Sequence, residues 1–431
     1  MSSMVAAPTR SAWRERLSVV GPVDGSRLAG LDGLRGIAVA YVVLDHAHVD
    51  TWLYRIFSIG GAAGVTTFFV LSGFLITSLL LREHDVHGRI DLPKFWGRRA
   101  LRLLPAMWLW LAVITVVWVW AGWSQLGFFL DELVKPVFFY YSDFAVLERG
   151  LGPVAHTWSL SVEEQFYLVW PIVLLGALWL TGRRPGRPGE RALVILLLVL
   201  TLVGAWWRLK VGDQPRGELI SPRRPDTNAV CLVAGATVAA LLRSGWKPPA
   251  RLSWLAWPAV IAMLVVPRVE PVQGMLHPTN AVILLTVLAL MALVGCLAAG
   301  SRVFTAWPLR AVGAVSYGFY LWHFPLMAAY AGGQFRPIGN HRAATSILIA
   351  IVSLGIAYLS FVLLERPLMR RYRGRLERVS LARGARTGPD TATGGATSGG
   401  PVTASPGDAA GGPPGRVDED ARGAGVRAEP R

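Results

Sequence analysis

Read for hydropathy, the chain alternates long apolar runs with short polar loops rich in arginine. The runs approach about 20 residues, the length an α-helix needs to cross roughly 30 Å of hydrocarbon. They predict about ten spans, at 36–52, 60–82, 101–122, 160–181, 192–207, 228–243, 253–267, 279–300, 311–331 and 344–365. The runs are too continuous for the alternating strands of an outer-membrane barrel. The expected fold class is therefore all-α, a polytopic transmembrane helical bundle. The region from 124 to 142, with Asp131, Glu132 and Lys135 among phenylalanines, is amphipathic and reads as an interfacial segment.

Composition agrees: 53% of the 431 residues are hydrophobic and only 16% charged, too apolar for an ordinary soluble domain. Lys and Arg in short loops mark the cytoplasmic side. Arg10, Arg14, Arg16, Arg27 and Arg35 precede the first span, Arg98, Arg99 and Arg102 close the second loop, and Arg183, Arg184, Arg187 and Arg191 crowd the fourth. Arg366, Arg370, Arg371, Arg373 and Arg375 follow the last. Both termini are thus expected in the cytoplasm, as an even span count requires, with the protein multi-pass in the plasma membrane. The loop from 208 to 227, with Arg208, Lys210, Arg216, Arg223 and Arg224, breaks this pattern. Either it is an outer basic loop serving an anionic or sugar acceptor, or one span is miscounted.

A net charge of +16 in a soluble protein would suggest nucleic acid. Here it follows topology and membrane lipid, so no nucleic-acid partner is expected. The N-terminus lacks a cleavable signal pattern, and the first span serves as the insertion signal. Cys231 and Cys296 have neither pairing nor metal spacing, so no disulfide or metal is expected. Three segments follow: a cytoplasmic tail at 1–28, a transmembrane domain at 29–368, and a cytoplasmic tail at 369–431 whose Gly, Pro, Ala and Ser content predicts disorder.

Ionisable groups inside apolar helices are costly and mark sites. Asp45, His46 and His48 stand in the first span. Arg35, eleven positions before His46, falls on the same helical face about 16 Å away. Imidazole near neutrality can act as a general base on a hydroxyl. Asp45, about 100° round the helix, is a poorer orienter of that base than a residue from another span. In GRRALRLLP, Arg98, Arg99 and Arg102 form a cationic patch at the membrane edge, either a positive-inside anchor or a fork for phosphate oxygens. HTWSLSVEEQFYLVWP sets His156, Glu163, Glu164, Gln165 and Tyr167 at a helix start, suited to capping or to a sugar-binding or histidine-orienting carboxylate. Ser316, Tyr317, Tyr320 and His323 in the ninth span, and Ser72 with Gly73 in the second, read more readily as packing than as chemistry.

In this order LDGLRGIAV, FFVLSGFLIT, GRRALRLLP, WSLSVEEQFYLVWP, SYGFYLWHFP and LLERP resemble the acyltransferase 3 family of membrane-bound O-acyltransferases, over about residues 29 to 368. The resemblance implies an all-helical bundle of about ten spans that transfers an acyl group, often acetyl from acetyl-CoA, to a hydroxyl. The family's functional residues map onto Arg35, His46, Arg98, Arg99 and Arg102, and its glutamate onto Glu163, while it varies at Glu164. In the sixth span the family's DTRxDxLLxG pattern reads DTNAVCLVAG here, so Asn228 and Val230 replace an Arg and an Asp. Arg223 or Arg224 are candidates to supply the lost charge. Some relatives carry a fused extracytoplasmic esterase-like domain, where this sequence has the tail.

The expectation is thus an acyltransferase for groups other than aminoacyl. It uses acyl-CoA as donor substrate with no bound cofactor, and a carbohydrate or macrolide-type natural product as acceptor. Arg35, Arg98, Arg99 and Arg102 would hold the donor's phosphates, His46 would be the base, and Glu163 would orient the base or the acceptor. The alternative reading is a transporter or flippase of lipid-linked saccharides, which moves substrate without breaking a thioester.

Overall fold

The computed structural model describes residues 26–47, 60–149, 151–182, 187–215, 217, 222–265, 278–298, 304–334 and 341–371. His48, Arg183, Arg184, Arg216 and most of both tails lie outside the described residues. The long helices are α1 (Ser26–Asp45), α2 (Gly60–His87) and α3 (Leu92–Trp120). After a folded-back segment, α4 (the pieces Leu126–Phe128, Phe129–Val134 and Lys135–Phe138), and the short α5 (Ser142–Arg149) come α6 (Trp158–Gly182), α7 (Arg187–Gly212), α8 (Pro225–Arg243), α9 (Ala256–Val265) and α10 (Pro278–Ala298). The chain continues through α11 (Trp307–Ala314), α12 (Ser316–Ala331) and α13 (Arg342–Ser360). Among the described residues all regular structure is helical.

Seven of these stretches are long and apolar enough to cross a bilayer: Gly60–His87, Leu92–Trp120, Gly152–Gly182, Pro188–Gly212, Pro225–Arg243, Ala281–Ala298 and Arg342–Arg371. The other three expected spans exist as helices but fall short for separate reasons. α1 interrupts its apolar run with Asp32, Arg35 and Asp45. α9 is described only as far as Val265, where the described residues stop. The ninth expected span is broken at Val315 into α11, of 8 residues, and α12, of 16. Among the described residues, seven helices thus meet the length and apolarity that a crossing needs.

The amphipathic region near 124–142 does not run on from α3. It forms helical pieces at Leu126–Phe128, Phe129–Val134 and Lys135–Phe138, together α4, the middle piece wound as a π-helix. These fold back along α3: Trp123 packs edge-on against Trp118 at 5.0 Å, and Phe138 stacks on Trp108 at 5.9 Å. The reversal falls at Gly122, with φ of 71°, and a second turn at Tyr140, whose φ of 53° is left-handed and costs a side-chain-bearing residue about 1 to 3 kcal/mol. Gln165 of α6 offsets this, its Nε2 donating to Tyr140 O at 2.9 Å and to Asp143 Oδ1 at 3.1 Å.

Asp143 is 1% exposed, and burial pushes its carboxyl up to about 6. Raised above its unfolded value near 3.9, this group favours the fold most at low pH, and the contribution falls as pH rises from about 4 to about 6. Asp143→Asn should flatten that part of the stability profile and raise the melting temperature above pH 6, by an amount worth about 1 to 3 kcal/mol. Thermal unfolding of both forms from pH 4 to 8 checks it; parallel profiles would refute the assignment.

Two helix crossings position the site, and both rest on glycine. At α2–α8, a Cβ on Gly73 would overlap the Leu232 carbonyl, and one on Gly235 would overlap that of Val70. At α1–α11, Gly36 meets the Leu309 carbonyl and Gly313 the Asp32 carbonyl, and Gly33 meets the backbone of Phe304 just before α11. Small residues let backbones approach closely where lipid gives no hydrophobic drive to associate. The glycines of LDGLRG thus bring Arg35 of α1 beside α11, and with it Arg310.

Candidate active site between two cavities

Arg35 and His46 line successive cavities. The first is walled by Arg35, Phe69, Ser159, Glu163, Tyr317 and Tyr320, among others. The second, about 310 Å³, is walled by Asp45, His46, Thr66, His156, Trp158, Arg223 and Asn228, among others. Val65 and Tyr320 belong to both walls. The expected shared face of Arg35 and His46 is therefore turned towards α12, and the two cavities meet along it.

At the first end Asp32 is within electrostatic reach of Arg35, Arg310 and Arg102. Arg310 joins this cluster through the α1–α11 crossing and gave no signal in the sequence. The arginines of the GRRALRLLP patch go three ways. Arg98 donates to Glu83 Oε2 at 3.2 Å. Arg99 lies 3.5 Å over the Tyr167 ring, in a separate cavity with Glu164, Gln165 and Tyr140. Arg102 points to the Arg35 end and also feels Glu365. Arg99 is turned about 100° from Arg98, while Arg98 and Arg102 share a side of the helix but stand one turn apart along it, so the single patch becomes three environments.

Glu163 lines the Arg35 cavity and lies within electrostatic reach of Arg99 as well as of Arg35. It accepts from Ser72 Oγ at 3.0 Å and from Tyr167 Oη at 3.3 Å, and so absorbs both the hydroxyl of the second span and the tyrosine of its own helix. The sequence reading made Glu163 a candidate orienter of His46, but the ring set against His46 is His323 of α12. His323 Nε2 is 3.3 Å from His46 Nδ1, and the ring centroids are 5.3 Å apart. Phe324 packs edge-on to His46 at 4.7 Å.

Carbonyl contacts assign the tautomers, because a carbonyl oxygen can only accept. His323 Nδ1 lies 2.8 Å from Tyr320 O and 3.2 Å from Phe319 O, so it carries the proton and Nε2 is left as acceptor. His46 Nδ1, 2.9 Å from Val42 O, then carries its own proton between that carbonyl and His323 Nε2. The lone pair of neutral His46 is left on Nε2. A proton gained there makes an imidazolium whose Nδ1–H already has two acceptors.

His156 completes a three-ring cluster. It stacks on Phe324 at 4.7 Å, lies 5.6 Å from His323 and meets Trp110 edge-on at 5.7 Å. Tyr320 Oη donates to His156 O at 2.7 Å and is 2.7 Å from Ser159 Oγ. The ring is 3% exposed, and its nitrogens make no hydrogen bond of ordinary geometry among the described residues. Such groups call for an explanation, and a cavity wall offers one. His323 and Tyr320, read from sequence as packing, are the residues sequence reasoning undervalued. The only signal was their spacing of three on an apolar helix.

The sixth-span departure also has a physical account. Val230 is buried against Gly204 of α7, where an aspartate would be stranded between helices. Arg208, one turn beyond Gly204 and fully buried, donates to Thr227 O at 3.1 Å and Asn228 Oδ1 at 3.3 Å. A guanidinium from the neighbouring helix thus stands beside the position where the family has its own.

A helical membrane protein in which a cationic cavity shares Val65 and Tyr320 with a second one lined by His46 has the makings of a transferase between two substrates. A family model described as an acyltransferase domain matches residues 28–365, and the chain belongs to the acyltransferase 3 family. It is 32% identical over 369 residues to a Bacillus subtilis protein named a putative peptidoglycan O-acetyltransferase, covering 79% of this chain and 55% of that one. A Listeria monocytogenes peptidoglycan O-acetyltransferase is 29% identical over 391 residues, with the same coverage. A Staphylococcus aureus putative O-acetyltransferase is 29% identical over 367 residues, covering 77% and 56%. The chain spans a little over half the length of these relatives. No solved structure matches.

Proposed function

We propose that the chain is an integral-membrane O-acyltransferase that moves an acyl group, of the acetyl class, from acyl-CoA to a hydroxyl of a carbohydrate. The observation that carries this reading is the meeting of the Arg35 and His46 cavities at Val65 and Tyr320. Guanidinium groups suit the pyrophosphate and ribose phosphate of CoA, and Arg35 and Arg102, joined by Arg310, hold them. The thioester then reaches the histidines. His46 Nε2 takes the proton of the acceptor hydroxyl as its oxygen attacks the thioester carbonyl. The C–S bond breaks, and the departing thiolate takes the proton back from His46. Glu163 fixes the walls of the donor cavity through Ser72 and Tyr167. The names of the Bacillus and Listeria relatives, which specify peptidoglycan acetylation, support a cell-envelope glycan as acceptor.

Purified full-length protein in nanodiscs, given acetyl-CoA, should release free thiol only when a saccharide acceptor is present. Saccharide movement without thiol release would favour a transporter and overturn the proposal. Arg35→Gln should raise KM for acetyl-CoA about tenfold or more. Arg98→Gln, whose charge is already bound by Glu83, should change it less than about threefold. Equal effects of the two would place the phosphates elsewhere.

A further inference from the structure

The wall of the His46 cavity carries a cation that donor chemistry does not use. Arg223 lines that cavity together with His46, His156 and Asn228. Its neighbour Arg224 is locked in a two-pronged pair with Asp226, Nε to Oδ1 at 2.9 Å and Nη2 to Oδ2 at 2.6 Å. Trp207 Nε1 donates to the same carboxylate at 2.8 Å. Among the described residues Arg223 has no carboxylate within ion-pair distance, and Asp45, the acid in the same cavity, is not paired with it.

The turn that carries Arg223 is held in place by the residue that departs from the family. Asn228 Nδ2 donates to Pro222 O at 3.0 Å and to Arg224 O at 2.8 Å, gripping the carbonyls on both sides of Arg223. Asn228 Oδ1 in turn accepts from buried Arg208. An arginine at position 228 could supply no carbonyl to Arg208 and would bring two guanidinium groups together. Asparagine both accepts and donates, and so converts a buried cation into a clamp for an available one.

Resting on the acyltransferase reading, we propose that Arg223 is an anion-binding arm of the acceptor cavity, and that the acceptor carbohydrate carries a carboxylate or phosphate near the hydroxyl that is acylated. A charge-assisted hydrogen bond from a half-buried guanidinium is strong enough to select such a group over its neutral match. The clamp sets Arg223 on the same wall as His46, so one acceptor can engage both.

The test is equilibrium binding to the full chain in nanodiscs, by titration calorimetry. N-acetylmuramic acid is compared with its methyl ester, and N-acetylglucosamine 1-phosphate with N-acetylglucosamine. One anion or both should bind about tenfold more tightly than its neutral match, and the stronger arm names the group. Arg223→Gln should bring that ratio close to one, while Arg223→Lys should keep most of it. Asn228→Ala, which frees the turn, should weaken the preference without removing the charge. Equal binding of charged and neutral sugars by the native chain overturns the proposal, as does a preference that survives Arg223→Gln. Thiol release on the same preparations reports separately on the transferase reading. Failure there with an intact anion preference would leave this site standing and overturn the reaction.

Discussion

Replacing His46 with Ala should lower acyl transfer by about 10²- to 10⁴-fold, the usual contribution of a positioned general base, while leaving the protein folded. The ring is half-buried at the end of α1 and lines a cavity, so its loss removes little packing. Removal of the Nε2 lone pair strips the acceptor hydroxyl of its proton acceptor. His323→Ala is the informative companion. It deletes the acceptor at 3.3 Å from His46 Nδ1 but leaves Val42 O in place, so His46 keeps its tautomer and loses part of its orientation. Loss of part of the base's orientation should cost less than loss of the base itself, about 10- to 100-fold against the 10²- to 10⁴-fold of a positioned general base. The loss should fall in kcat rather than in KM for either substrate, with the acid limb of the pH profile displaced. Thiol release from acetyl-CoA measures both variants. Native turnover in His46→Ala would sink the base assignment, and an unchanged pH profile in His323→Ala would reduce that residue to packing.

Gly73→Val should be the most damaging substitution away from the chemistry. The α2–α8 crossing brings backbone against backbone, with Gly73 under the Leu232 carbonyl and Gly235 under that of Val70. Neither carbonyl can retreat without breaking its helical hydrogen bond, so the added atoms must part the helices. Overpacking of this kind costs about 3 kcal/mol or more, enough to prevent folding of a marginal bundle. It would also displace Asn228 and His46 from one another, since α8 and α1 both pack on α2. Gly176→Val on α6, where nothing lies within 4 Å of the added atom, is the control and should change stability by less than about 1 kcal/mol. Melting temperature and monodispersity in detergent compare the two. Equal stability would mean the crossing is looser than its geometry implies.

Between sequence and structure, the elements transferred better than their partnerships. Apolar runs located the helices because hydrophobicity is a local property of the chain, and even the three short spans appear as helices where they were expected. Among the described residues seven helices are long and apolar enough to cross, and ionisable residues in α1 and a break at Val315 interrupt two of the other expected runs. The region from 124 to 142 was legible as amphipathic, but not as a segment folded back along α3, because that depends on Trp108 and Trp118 accepting it. Its turn at Tyr140 goes against local preference and is held by Gln165 from another helix.

The sequence by itself determined that this is a helical membrane protein with Arg35 and His46 on one face, since helical period and hydropathy need no partner. It also determined family membership, through short motifs spread along nearly the whole described chain. The tertiary structure alone decided what each polar group faces. It separated Arg98, Arg99 and Arg102 into three environments, set His323 rather than Glu163 against His46, and brought Arg310 to Arg35. It also used Arg208 and Asn228 to fix Arg223 on the wall of the His46 cavity. Each of these pairings joins residues on different helices, and which faces meet depends on where glycine lets two backbones close together.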